Sequence, residues 1–166
     1  MPRCLRNEDA GSPMPMRSLS KTTAAKRRQY GALPYRLRDG SRRPQIMLIT
    51  SRENQRWVIP KGWPKKGKSP HSSAAREAFE EAGVLGAVAK RPVGSFSYQK
   101  RLKSGAVVLC DVHVFPLEVR RQSKQWPEKQ ERVIKWLSGS QAAEKVDEPM
   151  LSEIIRRLAR KYNGRH

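Results

Sequence analysis

The sequence predicts an α/β sandwich, and three observations carry that prediction. Apolar runs rich in β-branched residues recur along the chain, at residues 46–49 and across AVVLCDVHVFPLEV, as strands do. A helix with strong start and stop signals stands between them, bracketed by Ser69 and Gly83. Near the C-terminus, Met150, Leu151, Ile154, Ile155 and Leu158 fall at helical spacing. Strands interleaved with a few helices pack as an α/β or α+β sandwich.

The elements follow in order. Residues 1–25 mix Pro, Gly, Ser, Arg and Lys without periodicity and read as a disordered basic tail, leaving 26–166 as a single domain. AAKRRQYGALPYRLRDG begins the structured part and ends on a turn signal, Asp39-Gly40-Ser41. PQIMLITSR is a strand, and RWVIP is a short one stopped by Pro60. A lysine-rich loop precedes the helix over 71–82. There Ser69 is the expected N-cap, Pro70 suits the first helical position, and Gly83 suits the residue past the end. VGSFSYQ and AVVLCDVHVFPLEV are strands joined by a basic link over 100–105. A loop, a strand over 133–137 and a helix from Ser140 lead to the terminal amphipathic helix, whose outer face is basic.

Composition limits the function classes only loosely. With 166 residues, the chain suits one domain with a real core. Hydrophobic content is 37% and mean hydropathy is −0.78, so part of the chain stays unpacked. The formal charge of +20 predicts attraction to polyanions such as nucleic acid, an anionic membrane or a small polyphosphate. Cys4 and Cys110 form no disulfide framework. Cys110 reads as a buried small hydrophobe and the compartment as reducing, hence cytoplasmic. No apolar stretch approaches 18 residues, so no membrane span is expected. The N-terminus lacks a signal peptide's apolar middle. It weakly resembles a transit peptide, but Glu8 and Asp9 count against that.

PKGWPKKGKSPHSSAAREAFEEAGV, residues 60–84, sets a crowded positive loop before a crowded negative helix. Glu77, Glu80 and Glu81 stand at i, i+3 and i+4, on one helix face. Like charges so placed repel by a few tenths of a kcal/mol per pair. Arg76 can pair with Glu80 one turn on. The opposite face is small and apolar: Ala74, Ala75, Ala78, Phe79 and Ala82. The helix therefore packs, and its carboxylates keep a fixed direction. Clustered carboxylates are ligands for a hard cation such as Mg²⁺, which would relieve their repulsion.

With Gly62 opening the pattern and Arg76-Glu77-Ala78-Phe79-Glu80-Glu81-Ala82-Gly83-Val84 closing it in register, the segment resembles the signature of the Nudix hydrolases. Eight of nine defined positions are acceptable. The exception is Lys68, which stands where the signature has its first glutamate, a residue that in the family supports the arginine and assists a further metal ion. RWVIPKGW, VGSFSYQKR, the long strand and IKWL extend the likeness over residues 26–150. They resemble the branch that hydrolyses diphosphoinositol polyphosphates and diadenosine polyphosphates.

The resemblance implies an α/β/α sandwich with a mixed sheet. It implies that Glu77 and Glu81, with the backbone carbonyl of Lys61 or Gly62, bind Mg²⁺ or Mn²⁺, with Glu80 near the metal as the base that activates water. Arg76 supports Glu80. Lys65, Lys66 and Lys68 are candidates for the remaining phosphate charge. Matching the branch sets Lys26, Arg27 and Arg28 against its basic N-terminal segment and Lys100, Arg101 and Lys103 against a basic loop, and it adds Arg28, Arg52, Lys100, Arg101 and Arg132 as substrate-binding candidates. A basic residue of the branch falls on Glu148 here, a second departure. Trp57, Trp136 and Phe96 read as packing residues, and Trp63 as exposed near the site. His71, His113 and His166 show no metal spacing.

The expected function is metal-dependent hydrolysis of a phosphoanhydride in a highly phosphorylated small molecule. Two alternatives stand beside it: the 5′ triphosphate end of RNA as substrate, which would add RNA as a partner, and a Nudix fold that binds polyanions without turnover. The sequence leaves monomer and dimer open.

Overall fold

The structure, a computed structural model, describes residues 25–163. The expected tail over 1–25 lies almost wholly outside the described residues. Eight strands form one mixed sheet. They are β1 (Arg27–Leu37), β2 (Pro44–Thr50), β3 (Trp57–Val58), β4 (Lys61–Gly62), β5 (Val84–Val88), β6 (Gly94–Arg101), β7 (Val107–Gln122) and β8 (Ile134–Ser138). The helices are α1 (Pro70–Ala82), α2 (Gly139–Lys145) and α3 (Pro149–Asn163). The main path runs β3-β2-β1-β7-β5, with β4 beside β1, β6 beside β7 and β8 beside β2. β1 and β7 pair in parallel from Arg27 opposite Cys110 to Tyr35 opposite Glu118, and the other pairings are antiparallel.

A central strand of such a sheet is buried on both faces, and its side chains alternate between two cores. In β1, Ala32 faces one core while Leu33 and Tyr35 face the other. In β2, Met47 and Ile49 join the first, and Ile46 and Leu48 the second. α1 covers the first core with Ala74, Ala78 and Ala82, all fully buried. α2 and α3 cover the second, where α3 inserts Leu151, Ile154, Ile155 and Leu158. The result is the α/β/α sandwich.

Two strands fall outside the sequence reading. VLGAV, just after Gly83, is the edge strand β5, and the start of the lysine loop pairs with β1 as β4. RRQYGALPYRL, from the segment expected to begin the structured part, is the central strand β1. The helix expected from Ser140 begins at Gly139, with a full capping box from Ser138 to Gln141.

Candidate active site

α1 is fixed at both ends before its side chains matter. Ser69 has the extended backbone of an N-cap, and Pro70 opens the helix. The Ser69 hydroxyl donates to Ser72 Oγ at 2.8 Å and caps no backbone amide. Gly83 takes a left-handed φ of 69° and donates its N–H to Phe79 O at 2.8 Å, which ends the helix. The segment after β7 then folds back across that end. Gln122 Nε2 donates to Ala82 O, Ser123 N to Gly83 O and Glu128 N to Glu80 O. These donors satisfy carbonyls that a helix leaves open. They also bring Glu128 and Arg132 beside Glu81.

The acidic face is more enclosed than helix periodicity implies. Glu77 and Glu81 are each only 7% exposed, and Glu80 is half-buried. Each carboxylate is held by a cation. Lys65 Nζ lies 2.8 Å from Glu77 Oε1 and 3.2 Å from Glu80 Oε2. Arg76 Nε donates to Glu80 Oε1 at 2.8 Å, the pairing expected one turn apart. Arg132 Nη2 lies 3.1 Å from Glu81 Oε1 and 3.3 Å from Glu128 Oε1, while its Nη1 donates to Thr50 O at 2.9 Å.

The protonation behaviour follows from these neighbours. Burial pushes Glu80 up, but the hydrogen bonds from Arg76 and Lys65 outweigh it and hold the group below the usual carboxylate range. Burial pushes Glu81 up to about 7, against the opposing charges of Arg132 and Lys61. Lys65 is raised, first by its hydrogen bond to Glu77. The Lys61 ammonium lies deep beside the Tyr98 ring, and burial lowers its pKa.

The donor set fits a hard divalent cation in kind. Glu77, Glu80 and Glu81 offer carboxylate oxygens from one helix face. Gly62 leaves room for them, since a Cβ built there would strike the Glu77 carboxylate. The trio is not drawn together, however. Among the described residues no three His, Cys, Asp or Glu side chains gather closely enough to hold a metal between them. Lys65 bridges Glu77 and Glu80, while Arg132 holds Glu81.

The carboxylates open into a cleft of about 640 Å³. Its walls include Arg52, Lys61, Gly62, Lys65, Lys100, Arg101 and Arg132 from the expected set. Four expected residues lie outside the lining: Arg76, which reaches the site only through Glu80, and three of the substrate-binding candidates. Lys66 and Lys68 are exposed in the turn before α1 and do not line the cleft, because only Lys65 turns back toward the glutamates. Arg28 sits opposite Asp111 on β7. Strand alternation puts it on the far face from Gln29, which does line the cleft. Arg132 is in place, but its guanidinium is committed to protein carboxylates. Arg52 is likewise paired, with Glu128 at 3.2 Å and Glu131 at 3.7 Å. Arg101 Nη1 donates to Gly105 O at 3.3 Å.

Sequence reading missed Glu128, Arg56 and the buried Gln29. Glu128 arrives from a loop whose only signal is a mixed run of charges, EKQER. Arg56 lines the cleft and pairs with Asp147 at 3.3 Å and Glu148 at 3.7 Å. It therefore sets a cation against the acidic Glu148. Gln29 accepts a 2.7 Å hydrogen bond from the Tyr98 hydroxyl at the cleft floor.

Residues 27–158 match the family model described as the NUDIX domain. The chain belongs to the Nudix family. It is 32% identical over 135 residues to the Arabidopsis thaliana "Nudix hydrolase 21, chloroplastic", covering 80% of this chain and 66% of that protein. It is 36% identical over 63 residues to the Bos taurus "Diphosphoinositol polyphosphate phosphohydrolase 3-beta", covering 37% of this chain and 38% of that one. The crystal structure of a C. elegans Ap4A hydrolase binary complex shares the fold with a TM-score of 0.60 at 19% identity, covering 83% of this chain and 98% of that one. Nudix hydrolases act on pyrophosphate bonds, and membership places this chain with them. Among the described residues no helix is long and apolar enough to cross a membrane.

Proposed function

We propose that the chain is a divalent-cation-dependent pyrophosphohydrolase. It cleaves a phosphoanhydride in a densely phosphorylated small molecule, a diphosphoinositol polyphosphate or a dinucleoside polyphosphate. One observation carries the reading: the three carboxylates and a set of cations line the same cleft. Glu77 and Glu81, with the backbone carbonyl of Lys61 or Gly62, are the groups that would hold Mg²⁺ or Mn²⁺. When bound, the metal neutralises phosphate charge and acidifies a water.

The chain's own residues do the rest. Glu80 is the most open of the trio, with a quarter of its side chain exposed. It is ionised at neutral pH, and its exposed edge lets it accept a proton from an attacking water. Arg76 fixes its direction. Lys61, Lys100 and Arg101 face the substrate's remaining charge, which matters because phosphoryl transfer depends mostly on positioning and neutralisation. The free, buried Cys110 suits a reducing compartment such as the cytoplasm.

The test is phosphate release, with Mg²⁺ and then Mn²⁺, from three substrates: a diphosphoinositol polyphosphate, diadenosine tetraphosphate and a 5′-triphosphorylated RNA. Turnover of either small molecule, abolished by chelation, supports the proposal. Turnover of the RNA alone replaces its substrate class. Tight binding of all three without turnover replaces hydrolysis by polyanion binding.

A further inference from the structure

The cations around the cleft divide into two sets. Lys65, Arg132, Arg52 and Arg56 each hold a carboxylate of the protein itself. Among the described residues, Arg27, Lys61, Lys100 and Arg101 hold none. Arg101 donates to Gly105 O, and the contacts of the other three are aromatic, with Arg27 beside the lining of the cleft rather than in it. The Arg27 guanidinium lies 4.7 Å from the centre of the Trp63 ring, and Lys100 Nζ lies 5.9 Å from the same ring. Lys61 Nζ lies 4.8 Å from the centre of Tyr98.

The strands explain the convergence. Cys110 of β7 is flanked by Arg27 of β1 on one side and Tyr98 of β6 on the other. Lys100 lies two residues along β6 from Tyr98, on the same face. Trp63 follows β4, which pairs with β1. Trp63 therefore stands at the mouth of the cleft, between the start of β1 and the end of β6.

A carboxylate partner fixes a cation and cancels its charge. An aromatic face fixes a cation and leaves the charge in place. We infer that Trp63 is a positioning residue whose ring holds Arg27 and Lys100 for an anionic group of the substrate, and is not a stacking platform for a nucleobase. The inference rests on the polyphosphorylated-substrate reading and deepens it: the ligand is recognised through its phosphates. It also accounts for Trp63-Pro64, an aromatic and a rigid residue opening a loop otherwise made of Lys, Gly and Ser.

The test measures binding on the full chain in chelator, so that no turnover is needed. The probes are inositol hexakisphosphate, which has no base, and diadenosine tetraphosphate, which has two. Calorimetry compares the parent chain with Trp63→Ala and Trp63→Phe at low and high salt, with thermal unfolding as a fold control. Trp63→Ala should weaken both probes similarly, by about five- to thirtyfold for two displaced cations. The loss should shrink at high salt, and Trp63→Phe should recover most of the affinity. In the Trp63→Ala background, Arg27→Gln and Lys100→Gln should cost much less than in the parent chain. A loss confined to diadenosine tetraphosphate overturns the inference in favour of base stacking. Unchanged affinity for both probes, or no binding by the parent chain, also overturns it. Binding without hydrolysis would sink the hydrolase reading and leave this inference standing.

Discussion

Arg132 and Glu81 form an enclosed ion pair, 3.1 Å apart, with each side chain less than a tenth exposed. The pair joins the loop after β7 to the site helix, and Glu128 and Thr50 O complete the guanidinium's surroundings. Arg132 belongs to the scaffold of the site at least as much as to its substrate surface.

Arg132→Ala should therefore destabilise the fold. It leaves Glu81 enclosed without a partner, and breaking a buried pair costs about 3–5 kcal/mol. Denaturant unfolding should show that loss. A variant that only lost substrate affinity, with an unchanged midpoint, would assign Arg132 to binding alone.

Gly62→Ala should cost both stability and activity. The new Cβ would strike the Glu77 carboxylate and push it or β4 aside. Overpacking of this kind costs about 1–3 kcal/mol. Hydrolysis should fall further than the unfolding midpoint suggests, because Glu77 is displaced. The check is activity and unfolding measured on the same sample.

Gly83→Ala meets two obstacles. The residue has a φ of 69°, and its Cα faces the Trp126 ring, which a Cβ would enter. The left-handed backbone alone costs about 1 kcal/mol, and moving Trp126 adds to it. The thermal midpoint should drop clearly, and Gly83→Asn should drop it by less than a β-branched substitution does.

Glu81 predicts a pH dependence in metal-free protein. Its folded pKa, about 7, lies above the ordinary 4.5. Between those values the folded state binds more protons than the unfolded one, so stability falls as pH rises through the window. The full effect is about 3 kcal/mol at most. Glu80 acts in the opposite direction below 4.5, where its depressed pKa makes stability fall as pH falls. In chelator, the decline between pH 4.5 and 7 should be absent from Glu81→Gln.

The local parts of this site were legible in the sequence, and the long-range parts were not. Pro70 and Gly83 bound α1 through short-range backbone preferences, and the spacing of Glu77, Glu80 and Glu81 fixes their common face. β4 is two residues long and exists only through its pairing with β1, so no pattern in KG announces it. β5 contains Gly86 and is half-exposed, which hides its alternation. Arg27 and Arg28 differ by one residue, and a strand turns that difference into opposite faces. The sequence could not choose between them without β1's register against β7. The partner of Arg132 is 51 positions away, at Glu81, so its commitment appears only once the loop folds over the helix.

The most direct measurement is Glu80→Gln. The side chain keeps its size and loses its charge and basicity. The parent chain and the variant should be compared for phosphate release and, in parallel, for affinity toward the same substrate. The account predicts that release falls by at least about a hundredfold while affinity stays within a few-fold. Turnover retained at near the parent rate would contradict it and remove Glu80 from the chemistry.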